Sequence, residues 1–260
     1  VYRIRAYELP EGGRDARGQH VANQLAFRPE ETITGVLGIT DYDEGDYLVL
    51  ATRRGLVKKT KLELYDSTRS AGVIAINLRE DEEGNPDELV SAQIANAGDD
   101  LILVSRNGQS LRFHASDEAL RPQGRSTSGV RGMRFRGDDE LLTMEVVRPG
   151  ADLLVVTEGG YAKRTPLTDY PVQGRGGLGV KVANLDEARG ALVGALVTDP
   201  DEEVMAIVES GKVIRVSVAD VRPTGRATKG VILTRMDDDD RVMAITRNTE
   251  TQVGSDQIET

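Results

Sequence analysis

Two short phrases recur along the chain at nearly constant spacing, and this repetition limits the possible folds more than any other feature. The first phrase reads Gly or Thr, then Arg, then two or three residues and a Gly, and it returns every 50 to 56 residues. The second phrase places a Gly before a basic stretch and returns every 51 to 53 residues, at Gly55, Gly108, Gly160 and Gly211. Because two registers keep similar periods, we interpret the chain as an array of similar units.

Each unit reads as about four short β-strands. An apolar run of β-forming residues precedes each second phrase, and the four runs are "YLVLAT", "DLILVS", "DLLVVT" and "EVMAIV". Another short apolar segment comes before each run, and Gly, Asp and Asn bound these segments as they bound strands in β-proteins. The sequences "RNG" at 106–108 and "EGG" at 158–160 predict tight hairpin turns.

Four strands in a unit of about 50 residues are typical of a propeller blade, whose faces are buried only against neighbouring blades. We therefore predict an all-β, propeller-like array of about five to six four-stranded blades, in one domain that spans residues 1–260. The repeats begin near residues 13, 68, 124, 174 and 225. A linear β-solenoid is the alternative, although its rungs are usually shorter.

The two ends of the chain differ from the units between them. Residues 1–10, "VYRIRAYELP", resemble the strand that follows a second phrase, and the chain does not begin with Met, so we expect an excised fragment of a longer chain. This strand either completes the last blade or belongs to a blade upstream. The last unit runs into the polar, acidic tail "TETQVGSDQIET" without a strand after a second phrase.

Composition excludes several classes of function. The chain has no Cys, which excludes disulfides and Cys-ligated metals, and its only histidines, His20 and His114, lie in unlike contexts. Paired carboxylates and nucleophile arrangements do not recur, so we expect no catalytic residue. The run Asp237–Asp240 reads as a solvated turn rather than as a metal site. No apolar run approaches the ~20 residues of a membrane span, and aromatic residues, at 4%, are too few for a base-stacking platform.

Basic residues also keep fixed places in the units, although the net charge is −10. In an array, equivalent positions recur on every blade, so repeated basic positions predict a band of positive charge for an anionic polymer. The acidic runs, such as "REDEEG" and "DPDEE", fall in other loops. The predicted contacts in the first phrase are Arg14, Arg17, Arg69, Arg125, Arg175, Lys181, Arg226 and Lys229, and Arg131 recurs beside them. The predicted contacts after the second phrase are Lys58, Lys59, Arg112, Lys163, Arg164 and Arg215.

The stretch "GRGGLG" at 174–179 fits the dinucleotide-binding spacing G-x-G-x-x-G. A cofactor loop of that kind must lead from a strand into a helix, whereas "VKVANL" follows here and reads as a strand. The same position in other units reads "GRSTSG" and "GRATKG", without the middle glycines. We therefore expect Arg and backbone amides to approach phosphate, and we predict a tight turn with positive φ at Gly129, Gly179 and Gly230.

Several of these segments resemble the C-terminal domain family of the bacterial DNA gyrase A protein, in an actinobacterial-type sequence. The resemblance spans nearly the whole chain and includes "VYRIRAYELPE", "ARGQHVANQLAF", "YLVLATRRGLVKKTKL", "TSGVRGMRF", "GGYAKRTPLTDYPVQGRGG" and "ATKGVILTR". Residues 173–179, "QGRGGLG", resemble the glycine–arginine box of that family, Gln-Arg-Arg-Gly-Gly-Lys-Gly, with Gly174 in place of an Arg and Leu178 in place of the Lys. The family's principal box lies in the first blade, so 173–179 is either that box or a second, box-like element.

The resemblance implies a non-catalytic β-pinwheel that wraps double-stranded DNA and sets the handedness of strand passage for ATP-dependent negative supercoiling. It implies box contacts to DNA from Gln173, Arg175, Gly176, Gly177 and Gly179. The parent would be a type IIA topoisomerase that pairs with the gyrase B protein and with a second gyrase A protein in an A2B2 assembly. ATP and Mg²⁺ would act elsewhere in that complex, with no cofactor and no membrane contact here, in a bacterial cytoplasm at the nucleoid.

Two other readings remain at this point. The matching domain of topoisomerase IV is also a DNA-binding pinwheel, but its boxes are degenerate or absent. A propeller can also serve as a protein-interaction scaffold, in which case the basic band would meet an acidic partner.

Overall fold

The chain is built almost entirely of short β-strands, within the residues that the computed structural model describes, 1–13, 16–28, 31–234 and 240–248. The strands are β1 (Tyr47–Thr52), β2 (Leu56–Lys61), β3 (Leu89–Ala95), β4 (Asp100–Ser105), β5 (Gln109–His114), β6 (Val130–Arg131), β7 (Leu141–Val146), β8 (Asp152–Thr157), β9 (Tyr161–Pro166), β10 (Val180–Lys181), β11 (Leu192–Thr198), β12 (Glu203–Val208), β13 (Val213–Ser217), β14 (Val231–Ile232) and β15 (Val242–Arg247). Single turns of 3-10 helix occur at Ala6–Glu8, Val21–Asn23, Leu62–Tyr65, Leu167–Asp169 and Val218–Asp220. The all-β prediction is confirmed.

Every sheet is built on an antiparallel hairpin of the same design, and the four hairpins are β1–β2, β4–β5, β8–β9 and β12–β13. In each turn a glycine donates its N–H to the last residue of the first strand and takes a positive φ, at Gly55, Gly108, Gly160 and Gly211. A tight turn that ends in a glycine with positive φ suits the twist of the two strands. The tight turns predicted at 106–108 and 158–160 are therefore confirmed.

Each sheet is completed by strands from later in the chain. The sheet orders are β3-β1-β2-β6, β10-β5-β4-β7, β11-β8-β9-β14 and β13-β12-β15. The two-residue strands β6, β10 and β14 follow an Arg–Gly phrase, yet each pairs with the hairpin of the preceding sheet. A sequence repeat is therefore not a blade, since the unit that begins near 124 supplies β6, β7 and β8–β9 to three different sheets.

The predicted number of blades, about five to six, is wrong. The described residues form four sheets, three of them with four strands and the last with three. The prediction followed the five occurrences of the Arg–Gly phrase, but the phrases at Arg125, Arg175 and Arg226 each lead into a short strand of the preceding sheet instead of marking a sheet of their own. No sheet strand is assigned within the described part of residues 1–46.

The core lies between the sheets, because both faces of an inner hairpin are buried. Leu101 and Leu103 of β4 pack toward the first sheet. Ile102 and Val104 of the same strand pack toward the third sheet. Alternate side chains of a strand point to opposite faces, so a continuous apolar run fills two interfaces at once. This is why the strand runs are uniformly apolar rather than alternating.

Two edges of the sheets have different surroundings. Strands β3, β7, β11 and β15 pack against one another in order along one side of the array. The short strands β6, β10 and β14 form the opposite edges of the first three sheets.

Residues 1–10 lie beside the first sheet, where Val1 and Val73 exchange backbone hydrogen bonds of 2.8 and 2.9 Å. Residues 1–10 contain no sheet strand, and their membership of the last blade or of an upstream blade stays a prediction.

Candidate nucleic-acid interface

The Arg–Gly phrases form loops that cross the outer edge of the sheets. Each loop is anchored by a backbone N–H that donates to the second strand of a hairpin. Gln123 donates to the carbonyl of Lys59, Gln173 to that of Arg112, and Thr224 to that of Arg164, each at 2.8 Å. The loops therefore sit at the same height on three successive sheets.

The last glycine of each loop is required by its contact with the strand beneath. Gly129, Gly179 and Gly230 have φ values of 82°, 73° and 78°, as predicted for these three positions. A Cβ atom at Gly179 would stand 2.1 Å from the Ser110 carbonyl oxygen, and the corresponding distances at the other two are 2.6 and 2.5 Å. Only glycine fits, because both the conformation and the space exclude a side chain.

Successive loops are joined by backbone hydrogen bonds. The N–H of Asn77 donates to the Thr127 carbonyl at 3.0 Å, that of Arg134 to Gly177 at 2.8 Å, and that of Asn184 to Thr228 at 3.0 Å. Each donor lies just beyond one loop, and each acceptor lies within the next. The four loops 67–72, 123–129, 173–179 and 224–230 therefore form one continuous row, which we call the loop row.

The arginines of the loop row carry unneutralised charge. Arg69 and Arg175 are exposed, and Arg125 and Arg226 are half-buried. Arg175 donates to the carbonyls of Ala119 and Arg131, at 2.8 and 3.1 Å. Within the described part of the chain, none of these four arginines forms an ion pair with a carboxylate. Their positive charge therefore remains available to an anionic ligand.

The box-like segment occupies the middle of the row. Gln173, Gly174 and Arg175 are exposed, and Gly176 turns with a φ of 80° while its N–H donates to the Gly132 carbonyl at 2.5 Å. Gly177 has an ordinary φ, and a Cβ there would make only a van der Waals contact at 3.7 Å. The segment leads into strand β10 and not into a helix, in agreement with the rejection of a dinucleotide loop.

Two further cations of the first phrase lie at the loop row with different surroundings. Lys181 is exposed on β10, and its ammonium contacts the Asn184 side chain at 3.3 Å. Lys229 is exposed, but it pairs with Asp186 at 3.0 Å. Hydrogen bonds from Arg189 and then Lys229 lower the pKa of Asp186 to about 2, so this pair persists at neutral pH. Arg17 is exposed in the first phrase, and Arg14 lies outside the described residues.

The basic residues after the second phrase do not form the predicted surface band. Lys58, Lys59, Lys163 and Arg164 are buried, and burial removes them from direct contact with a ligand. Arg112 binds Asp100 through two nitrogens, at 2.9 and 2.7 Å, and Lys59 pairs with Asp117 at 2.6 Å. Arg164 faces Asp152, and Arg215, which is half-exposed, pairs with Glu203. The expectation of exposure is wrong for the four buried residues, because a basic residue repeats in the same way whether it faces solvent or a neighbouring loop.

The structure places further cations at the loop row, and of these only Arg131 was noted among the recurring basic residues of the sequence. Arg131 is exposed on β6, and Arg134 is exposed while its guanidinium donates to the Gly176 carbonyl at 2.7 Å. Arg121 and Arg222 are exposed four residues before Arg125 and Arg226. The sequence did contain a signal for Arg121 and Arg222, because each stands immediately before a Pro and at the same distance from a loop arginine.

The described residues contain no group of three or more His, Cys, Asp or Glu side chains that could hold a metal ion. Of the run Asp237–Asp240, only the last residue is described, and it accepts hydrogen bonds from the backbone and hydroxyl of Ser210. Within the same residues, no helix has the length and apolar character needed to cross a bilayer.

Comparison with known families identifies the array. The family model described as "DNA gyrase C-terminal domain, beta-propeller" matches residues 1–39, 46–96, 99–148, 151–199 and 202–248. The chain belongs to this family. Each of the last four gyrase-family repeats begins with a hairpin and ends with the third strand of the same sheet. The last three of them also contain the short strand that joins the sheet before, namely β6, β10 or β14.

Relatives at high identity come from actinobacteria. The chain is 59% identical to the DNA gyrase A protein of Streptomyces coelicolor and 58% identical to that of Mycobacterium tuberculosis, each over 250 residues. Both matches cover 96% of this chain, which spans 29% of the length of either relative. The resemblance seen in the sequence is thereby confirmed, and gyrase is favoured over topoisomerase IV.

Solved structures show the same architecture. The C-terminal domain of DNA topoisomerase IV superposes with a TM-score of 0.81 at 26% identity, covering 93% of this chain and 73% of that one. A DNA gyrase A C-terminal domain superposes with a TM-score of 0.79 at 26% identity, covering 94% and 77%. The fold alone does not separate the two groups, and the sequence relatives decide between them.

Proposed function

We propose that the loop row binds the phosphate backbone of double-stranded DNA and that the domain wraps DNA along its outer edge. The observation that carries the proposal is the continuity of the row. Four loops with equivalent arginines are tied to one another by backbone hydrogen bonds, and these arginines lack carboxylate partners among the described residues. A chain of net charge −10 can still attract DNA when its unpaired cations lie on one track.

The proposed contact is one of backbone and shape rather than of base sequence. Guanidinium groups and loop amides suit phosphate oxygens, and such contacts fix the path of the duplex without reading bases. Bending 20–30 base pairs by 40–90° costs on the order of 1–6 kcal/mol, so contacts from several loops are needed. With about 10 phosphate contacts, log affinity falls with log salt at a slope of roughly −9.

The relatives, which are gyrase A proteins, support a role within a larger enzyme. The domain contributes no catalytic residue in this proposal. It presents wrapped DNA with one handedness, so that strand passage driven by ATP elsewhere in the complex, with Mg²⁺, introduces negative supercoils. The partners are the gyrase B protein and a second gyrase A protein in an A2B2 assembly, in the bacterial cytoplasm at the nucleoid.

A ligation experiment tests wrapping directly. The domain is incubated with nicked plasmid, the nick is sealed by ligase, the protein is removed and the change in linking number is measured. A shift of constant sign that grows with protein and disappears at high salt is expected for chiral wrapping. Binding without a shift contradicts wrapping and indicates a tether, closer to topoisomerase IV. No binding at all overturns the proposal in favour of a protein-interaction scaffold.

A further inference from the structure

Two buried lysines lie directly beneath the loop row. Lys58 on β2 and Lys163 on β9 occupy equivalent positions in the first and third sheets, and their residues are 0% and 2% exposed. Fully buried lysines are rare in proteins unless they are paired with an acid. Among the described residues neither lysine forms an ion pair, although Lys59 and Arg164, which follow them in sequence, each face an aspartate.

Each ammonium bonds to the main chain of two successive loop segments. Lys58 donates to the carbonyl oxygens of Ala75 and Arg125. Lys163 donates to those of Val182 and Arg226. One acceptor of each pair lies shortly after a loop of the row, and the other belongs to the arginine of the next loop. Each ammonium charge therefore lies one peptide group below the surface that would meet phosphate. The two carbonyl groups that accept its hydrogen bonds are oriented inward, toward the lysine.

The second sheet provides an internal comparison. Leu111 of β5 occupies the position of Lys58 and Lys163, and it is buried in the apolar core. The arginine above it, Arg175, instead sends its own guanidinium to the carbonyls of Ala119 and Arg131. The ammonium is therefore not needed to form a loop of this shape, which suggests that its charge serves another purpose in the first and third sheets.

The surroundings of both lysines disfavour the charged form. Burial, and then the nearby Arg125, lower the pKa of Lys58 to about 8. Burial and Arg226 lower the pKa of Lys163 to about 8, against the opposing effect of Asp169. The Tyr65 hydroxyl also contacts the Ala75 carbonyl, at 3.4 Å. A phosphate on the loop row would supply the negative charge that these ammonium groups lack, since both bind only main-chain carbonyl oxygens among the described residues.

We propose that Lys58 and Lys163 form a buried second layer of the DNA-binding surface and that they take up protons when DNA phosphates occupy the loops above them. The inference rests on the proposed function. The proton moves from the buffer to a neutral amine, and no other group changes. Because buried charges are screened by salt less than exposed ones, this layer acts at ionic strengths that weaken the surface arginines. By linkage, a pKa raised by DNA means that affinity falls as pH rises.

Calorimetry tests the inference. A short duplex is titrated into the domain at pH 8.5, at equal ionic strength, in phosphate and in Tris, whose ionisation enthalpies differ. If DNA raises each pKa by about one unit, roughly one proton in total is taken up per complex, and affinity falls about tenfold per lysine well above pH 8. Equal heats in the two buffers contradict the inference, whereas absence of DNA binding at pH 7 overturns the proposed function and this inference with it.

Matched variants separate these lysines from other groups. The double variant K58M/K163M should lose the buffer-dependent heat, while K61M, which removes an exposed charge from the same strand as Lys58, should keep it. Burial lowers the pKa of the Val1 amino group from its usual value. This group is present in all three proteins, so any proton that it exchanges contributes equally to their heats. Retention of the full proton uptake by K58M/K163M overturns the inference.

A measurement without substitution covers the case in which the double variant does not fold. Lysine side chains labelled with ¹³C at Cε are titrated by NMR in the free domain and in the DNA complex. Two resonances should titrate near pH 8 in the free protein and move to higher pH with DNA. Two such resonances whose midpoints do not change with DNA contradict the inference.

Discussion

Gly179 approaches the hairpin beneath it so closely that a Cβ atom would stand 2.1 Å from the carbonyl oxygen of Ser110. The same contact recurs at Gly129 over Val57 and at Gly230 over Ala162. In each case the close contact brings the loop onto the second strand of the hairpin. The two-residue strand that follows the glycine can therefore pair with that hairpin. The glycine thus fixes both the loop that carries the arginine and the strand that completes the sheet.

The substitution Gly179→Ala should therefore destabilise the domain. A left-handed conformation and a clash with backbone together should cost at least about 2 kcal/mol of the free energy of unfolding. The matched control is Gly174→Ala in the same loop, where a Cβ would meet nothing within 4 Å. Urea unfolding should show the control within about 0.5 kcal/mol of the wild type. Equal losses in both variants would contradict this account.

The substitution Arg175→Ala should weaken DNA binding to the same extent on all sequences. The arginine is exposed in the loop row, so its loss should reduce the slope of log affinity against log salt by about one unit. Affinities measured on unrelated duplexes between low and moderate salt provide the slope. Lys61→Ala is the control, since it removes an exposed cation that pairs with Glu63 and belongs to none of the four loops of the row. A changed base preference with an unchanged slope would count against phosphate contact.

The substitution Arg112→Met should reduce the stability of the domain and leave its DNA affinity nearly unchanged, in contrast to Arg175→Ala. Arg112 is 19% exposed and binds the 12% exposed side chain of Asp100, so its removal leaves a poorly solvated carboxylate without its cation. A loss of about 3 kcal/mol in stability is expected, and the DNA affinity of the folded protein should stay close to that of the wild type. Unfolding and binding measured on one preparation check both parts. Stability unchanged and binding lost would restore Arg112 to the interface.

Stability should rise with pH between about 8 and 10.5 through Lys58 and Lys163. Their pKa is about 8 in the folded protein and returns to the ordinary lysine value of 10.5 on unfolding. Over this interval the unfolded chain binds more protons than the folded one, so the free energy of unfolding increases with pH. Urea unfolding at pH 8, 8.75 and 9.5 measures the increase. The K58M/K163M variant should lose it, and a wild-type stability that falls over this range would contradict the assignment.

The hairpins could be predicted because they are local properties of the sequence, and the repeat period and the positive φ of the three glycines could be predicted because the same phrases recur along the chain. The apolar runs before Gly55 and Gly108 and the turns that follow them need no information from distant residues. The blade count failed because strands such as Val130–Arg131 contain two residues and pair with a hairpin strand far earlier in the chain, Leu56 and Val57. So short a strand has no periodicity of its own, and its partner cannot be read from its composition.

The division of the cations into two sets was equally beyond the sequence. Arg125 and Lys58 both recur with the period of the repeat, and recurrence alone suggests the same role for both. What separates them is a pair of main-chain carbonyl groups that accept the Lys58 ammonium. Backbone acceptors leave no mark on the sequence, since any residue can supply them. An aspartate such as Asp100, by contrast, could have been noticed as a partner for Arg112 across the hairpin.

The strands that pass from one repeat to the sheet before it also govern how the domain can be made. During synthesis the first sheet cannot be closed until residues 130–131 have emerged, long after its own hairpin, and each later sheet waits in the same way. A cut between two repeats separates the sheet before the cut from its short fourth strand, so the repeats are not independent folding units. Removal or duplication of one whole repeat, however, leaves each hairpin except the last with a short strand from the repeat that follows it. Each of the first three sheets therefore depends on a strand from the next repeat, whereas the number of repeats can change in evolution.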